Sequence, residues 1–334
     1  MSENHAAIAE CLRRAGLLAA GELPVITALS GGVSCDVFRI DTAAGTLCAK
    51  RALPRLRVAT VWEAPVDRSH YEVEWLAVAR AAGLTVPRVI AELADEHVFF
   101  MDWFPPEDNP VWKAELAAGR IDPGFAAAVG HALAAIHTAT RADPAMAERF
   151  PTDALFTALR IEPYLLHTAR AHPDLADVLE GIARQTLATR DALVHGDVSP
   201  KNILCGRAGP VLIDAECAWY GDPAFDLAFC ATHLLLKGIW HPQWQPQTDA
   251  AFAALHSAYL GRTAPALRTG IEQRTIALLA AILLARIDGR SPVEYLTAEA
   301  DRDRVRRAAR ELLQTPPTTL AGFGDHWRQL TGHP

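Results

Sequence analysis

Leu193-Val194-His195-Gly196-Asp197-Val198-Ser199-Pro200-Lys201-Asn202-Ile203-Leu204 is followed, after a Gly-bounded turn, by Val211-Leu212-Ile213-Asp214-Ala215-Glu216. Two short apolar runs flanking Gly206–Gly209 predict a β-hairpin, 203–205 against 210–212. That register leaves Asn202 and Asp214 side by side at its open end, with Asp197 in the loop just before it. Three oxygen-bearing side chains then converge. Phosphoryl transfer needs such a set: a carboxylate to take the hydroxyl proton, and hard oxygen ligands for a Mg²⁺ that bridges phosphates.

The His-x-Asp-x₄-Asn spacing matches a protein-kinase catalytic loop, and Ile213-Asp214 after a strand stands where its metal-binding aspartate would. The stretch resembles the aminoglycoside phosphotransferase family, which also includes choline, homoserine and methylthioribose kinases. The likeness runs from about Leu29 to Leu296 and is carried by His195-Gly196-Asp197 with Asn202, by Asp214, and by Gly221-Asp222-Pro223-Ala224-Phe225-Asp226-Leu227-Ala228. It implies an α+β, bilobal protein-kinase-like fold, with ATP and Mg²⁺ as cofactors. Carried over residue by residue, it implies Asp197 as base, Asn202 and Asp214 as metal ligands, and Asp226 as a buried anchor for the backbone of the catalytic loop. His195 is expected to order that loop. Glu216 is either a third metal ligand on the alternate strand position or a solvated carboxylate. Methylthioribose kinases also carry Asp-x-Glu followed by an aromatic and Tyr-Gly, as in Ala218-Trp219-Tyr220-Gly221, but they lack an Asn at the place of Asn202.

Upstream, Val25–Leu29, Val37–Ile40 and Thr46–Lys50 read as three antiparallel strands, Asp67–Ala82 as a helix closed by Gly83, and Val86–Ala91 and His97–Trp103 as two more strands. Pro105-Pro106 then marks a connector, dividing a first lobe, 1–104, from a mainly helical second lobe, 105–334. Lys50 lies in the apolar run Leu47-Cys48-Ala49 and needs a partner there unless it points to water at an edge. Nucleotide phosphates and a helix glutamate would serve; Glu72 falls within the inward arc of the helix and Glu74 at its rim, so Glu72 is expected. Ser30-Gly31-Gly32-Val33-Ser34 is placed to cover phosphates with backbone N–H groups, and Met101, Asp102 and Trp103 to form the hinge against an adenine edge. The segment Arg51–Arg57 and Asp67-Arg68 also resemble methylthioribose kinases.

The chain has 334 residues, half of them apolar, consistent with two ordered lobes. Six scattered cysteines without a CxxC pair argue against a zinc ribbon or a disulfide framework. The longest apolar run, Ile276–Ala285, is too short for a membrane span, and with no leader-like N-terminus the expected location is cytoplasmic. A net charge of −7 and the absence of a basic, aromatic-interleaved cluster exclude nucleic acid as an expected partner. The expected partner is a small-molecule hydroxyl acceptor, met by residues after Asp226, with His233, Arg286 and Asp288 as candidates; the oligomeric state is not legible.

From Ala231 onward there are 12 basic and 9 acidic residues, which disfavours a polycationic aminoglycoside and favours a neutral sugar-like or an anionic acceptor. An amino alcohol is the other expected acceptor class. Two further classes compete with a small-molecule kinase: a nucleotide-binding pseudokinase, against which the intact Asp197, Asn202, Asp214 and Lys50 argue, and a metal-dependent hydrolase, which leaves Lys50 without a role. A protein kinase is disfavoured because Gly221-Asp222-Pro223 follows Asp214 too soon for a peptide-docking loop.

Overall fold

The computed structural model describes residues 3–29, 34–54 and 65–332. Five strands, β1 (Val25–Leu29), β2 (Cys35–Thr42), β3 (Gly45–Ala52), β4 (Val89–Leu93) and β5 (Val98–Asp102), form one antiparallel sheet in the order β1-β2-β3-β5-β4. Both faces of this sheet are covered. The helix Glu3–Arg14 sets Ile8 and Leu12 against Phe38, Ile40, Ala49 and Phe100 on one face. The helix Arg68–Ala81 packs Trp75, Leu76 and Ala79 on the other, within a core that continues into the helical part. The last two strands begin later than expected. Residues before Val89 include Pro87, which cannot donate to a ladder, and His97 turns into the left-handed region (φ 52°) before β5 starts.

The predicted hairpin forms: β7 (Ile203–Gly206) pairs with β8 (Gly209–Leu212) in the register Ile203↔Leu212, Cys205↔Pro210. Beside it, β6 (Ala192–Val194) pairs with β9 (Trp219–Gly221). Among the described residues the other regular elements after Asp102 are helices, so the fold is a small antiparallel sheet followed by a mostly helical remainder. Asp122 caps the Pro123–Ala139 helix by accepting from Gly124 N at 2.8 Å. The apolar run 276–285 is the buried middle of the helix Pro265–Asp288. Among the described residues, no helix is long and apolar enough to cross a membrane. All six cysteines are free.

Candidate active site

The hairpin brings the expected residues together. Ile213 N donates to Asn202 O at 3.0 Å, which closes its open end and sets residue 202 against 213–214. Asp214 adopts φ 68°, a left-handed conformation that aspartate tolerates better than most residues and that structures tend to keep only where a side chain must be aimed. Asn202 Nδ2 donates to Asp197 O at 3.0 Å and to Asp197 Oδ2 at 2.9 Å. Both amide donors are thereby engaged and the Asn202 side-chain oxygen is left as an acceptor.

The loop that carries Asp197 is held from behind. Asp226, fully buried in the first turn of the helix Ala224–Trp240, accepts from His195 N at 2.7 Å and Gly196 N at 2.9 Å, and meets His137 Nε2 at 3.2 Å. His195 Nε2 lies 3.0 Å from Ile213 O, linking the loop to the strand before Asp214, and its ring meets Trp75 edge-on at 4.8 Å. Gly196 sits at φ 75°, and a Cβ there would come within 2.3 Å of Cys217 O, so only glycine fits.

Arg160 was not singled out by the sequence, and it is the nearest guanidinium to Asp197. It projects from Thr157–Leu166, a π-helical stretch containing Pro163, and it is buried. Its Nη2 meets Asp197 Oδ2 at 3.1 Å, its Nε donates to Gly196 O and its Nη1 to Leu159 O at 2.7 Å. Lys201 Nζ reaches Asp197 Oδ2 at 3.1 Å as well. Burial pushes the Asp197 carboxyl up, but Arg160 and Lys201 more than offset it, so the group lies below its ordinary value and is ionised.

Lys50, only 4% exposed, bonds both Glu72 and Asp214. Glu74, the alternative, pairs with Arg149 on the surface. Burial alone would pull the Lys50 ammonium down; the two carboxylates hold it well above its ordinary value. Glu72 goes the other way, to about 7, because burial outweighs the pull of Lys50 and Asp214 adds a like charge. Asp214 also lies 3.9 Å from Lys201 Nζ, and Glu72 is the least firmly ionised member of the cluster.

Glu216 is neither solvated nor turned toward Asn202. Its Oε2 accepts from Arg68 Nε at 3.0 Å and from Cys35 Sγ at 3.4 Å. Arg68, fully buried, also donates to the carbonyls of Ser34, Leu53 and Pro65, so this pair ties the hairpin region to the sheet. Ser30, Gly31, Gly32 and Val33 lie outside the described residues, as do 55–57 of the basic segment.

Two cavities flank this cluster. One, of about 400 Å³, is lined by the apolar side chains of Leu29, Val37, Cys48, Met101, Trp103 and Leu204 and by the polar ones of Lys50, Asn202 and Asp214; Asp102 and Glu72 also border it. The other, of about 290 Å³, contains Asp197, Arg160, His233, Lys237, Arg286 and Tyr295. Ser34 and Lys201 line both. His233 is buried there, edge-on to Phe229 at 5.8 Å, and burial with Arg286 and Lys237 nearby pushes it well below its ordinary value, so it is neutral. Arg286 lines the same cavity from the last turn of the Pro265–Asp288 helix. Asp288 does not line it: its carboxylate accepts twice from Arg306, at 2.7 and 2.8 Å, and meets His172 at 2.9 Å.

The phosphotransferase enzyme family matches residues 25–268. The chain belongs to that family. A methylthioribose kinase of Pectobacterium atrosepticum is 28% identical over 248 residues, 64% of this chain and 60% of that protein. The chain thus spans about 60% of the length of the curated relatives it matches. Among solved structures, a choline kinase of Cryptosporidium parvum superposes with a TM-score of 0.57 at 10% identity, covering 96% of this chain and 99% of that one. An amicoumacin kinase in complex with AMP-PNP, Ca²⁺ and Ami gives 0.53 at 14% identity, covering 96% and 98%. At such identities the superpositions establish a shared fold.

Proposed function

We propose that the chain is an ATP-dependent small-molecule kinase that phosphorylates a hydroxyl group on a sugar-like acceptor. The observation that carries this is the junction of the two cavities: Asn202, Asp214 and Lys50 face one side, Asp197 faces the other, and Lys201 borders both. The larger cavity, lined by both apolar and charged side chains, suits a nucleotide with its base at Met101–Trp103 and its phosphates at Lys50. Residues up to 104 would cover the nucleotide and residues 105–334 would carry the base and the acceptor site.

The donor set fits Mg²⁺: a free amide oxygen on Asn202 and the carboxylate of Asp214 are hard ligands. When bound, that ion would neutralise charge on the phosphates. Glu216 is assigned to Arg68 instead. Asp197 Oδ2, held by Asn202, Arg160 and Lys201, orients the acceptor hydroxyl and takes its proton. The acceptor oxygen forms a bond to the γ-phosphorus as the bond to the β–γ bridging oxygen breaks, giving a phosphomonoester and ADP. Lys201, at the junction, is placed to follow the moving charge. The methylthioribose kinase relatives support a sugar-like acceptor, and a need for ATP supports a cytoplasmic location. Two titrations test the proposal: ATP binding with and without Mg²⁺, and ADP release across a panel of hydroxyl compounds. Tight ATP binding with acceptor-stimulated ADP release is expected; ATP binding with no stimulation by any acceptor would favour a regulatory nucleotide-binding module.

A further inference from the structure

The smaller cavity carries more positive charge than its own carboxylates answer. Five basic side chains line it against three carboxylates, of which Glu216 is paired with Arg68 outside the cavity lining. Arg160 and Lys201 share Asp197, and Lys113 pairs with Glu294. Lys237 and Arg286 have no carboxylate within ion-pair distance among the described residues, although they are only 2% and 9% exposed. Arg286 Nη1 uses neutral partners, Tyr164 Oη at 3.2 Å and Ser291 O at 2.6 Å. Its Nε, Tyr295 Oη and Ser199 Oγ are buried in the same wall with no hydrogen-bond partner. Buried polar atoms without partners are costly and buried unpaired cations more so, and this many in one wall mark a ligand surface.

Resting on the kinase assignment, we infer that the acceptor bears an anionic group, a carboxylate or a phosphate, received by Lys237 and Arg286 while its hydroxyl lies at Asp197. A cationic acceptor has no place there. Lys237 Nζ stands 4.1 Å from the Trp240 ring centroid and 3.9 Å from that of Tyr295, so the aromatic pair that would cradle a ligand ammonium already holds the chain's own. Burial, with Lys113 nearby, lowers Lys237 to about 8, more than the distant Glu294 offsets.

A matched panel tests this: ribitol, ribonate, ribitol 5-phosphate and an aminopolyol of equal length, each with ATP and Mg²⁺, for wild type, Lys237→Met and Arg286→Gln. One or both anionic members should be preferred over ribitol by about 30-fold or more in kcat/KM, and each substitution should raise their KM by a similar factor. Ribonate against ribitol 5-phosphate distinguishes carboxylate from phosphate. ADP titration reports whether each variant is folded, and Arg286→Lys serves as a second probe if Arg286→Gln is not. Preference for ribitol or the aminopolyol, or an anion preference that survives both substitutions, overturns the inference. If no compound is turned over, calorimetric binding of the panel to the ADP-loaded protein decides: no anion binding overturns the inference, whereas failure to bind nucleotide overturns the kinase assignment itself.

Discussion

Replacing Arg160 by Met removes a buried guanidinium and leaves its stem nearly isosteric. Three bonds go with it: those to Leu159 O, Gly196 O and Asp197 Oδ2. Hydrogen bonds from a charged donor contribute about 1.5–3 kcal/mol each, a gross loss of roughly 4–9 kcal/mol. Relief of guanidinium desolvation offsets part of this, while Asp197 keeps Lys201 as its remaining cation. The net cost expected is about 3–5 kcal/mol, the usual range for breaking one side of a buried pair. Urea unfolding of wild type and variant measures it.

The same substitution acts on titration. The depressed Asp197 contributes stability that is present above its unfolded value, near 4, and is lost as pH falls through its lower folded value. Without Arg160 the carboxyl rises, so this stabilisation and its loss in acid should shrink, and the acid limb of kcat/KM should move up. A variant within about 1 kcal/mol of wild type, with an unshifted acid limb, would refute the view that Arg160 holds Asp197 ionised.

Gly196→Ala forces a Cβ to within 2.3 Å of Cys217 O at φ 75° and should destabilise the protein by about 2 kcal/mol or more in urea while lowering kcat. Lys50→Met should cost about 10²–10³ in kcat/KM for ATP in steady-state assays, with Glu72→Gln costing less because Asp214 still holds the ammonium. For an anionic acceptor, kcat/KM should fall as pH rises through about 8, where Lys237 loses its charge among Lys113, Glu294, His233 and Arg286; the fall should be absent in Lys237→Met. The sign for stability is the reverse, since a depressed lysine destabilises the fold while charged and this penalty fades between about 8 and its unfolded value near 10.4.

The hairpin was legible to the residue because its two apolar runs and bounding glycines permit one register, and that register alone puts Asn202 beside Asp214. Lys50 and Glu72 were legible from cost: a lysine in an apolar strand and a glutamate on an apolar helix arc each need the other. Arg160 was hidden. It lies 37 residues before Asp197 in a stretch whose π-helical turns and Pro163 break the 3.6-residue period, so no pattern marks its direction. Asp288 misled for a related reason: a polar run before Gly289 looks like a loop, yet 286–288 complete a helix, which turns Arg286 into the cavity and Asp288 toward Arg306. Lys237 and Tyr295 meet only through tertiary packing between segments 58 residues apart.

Transfer of γ-labelled phosphate from ATP to the best acceptor of the panel, by wild type and Asp197→Asn at equal, ADP-verified folded concentrations, tests the central claim most directly. Loss of the general base and of hydroxyl orientation predicts a fall of about 10²–10⁴ in kcat with ADP affinity retained. A variant that transfers label within about tenfold of wild type would contradict Asp197 as the base and, with it, the assignment of the cavity junction as the site of transfer.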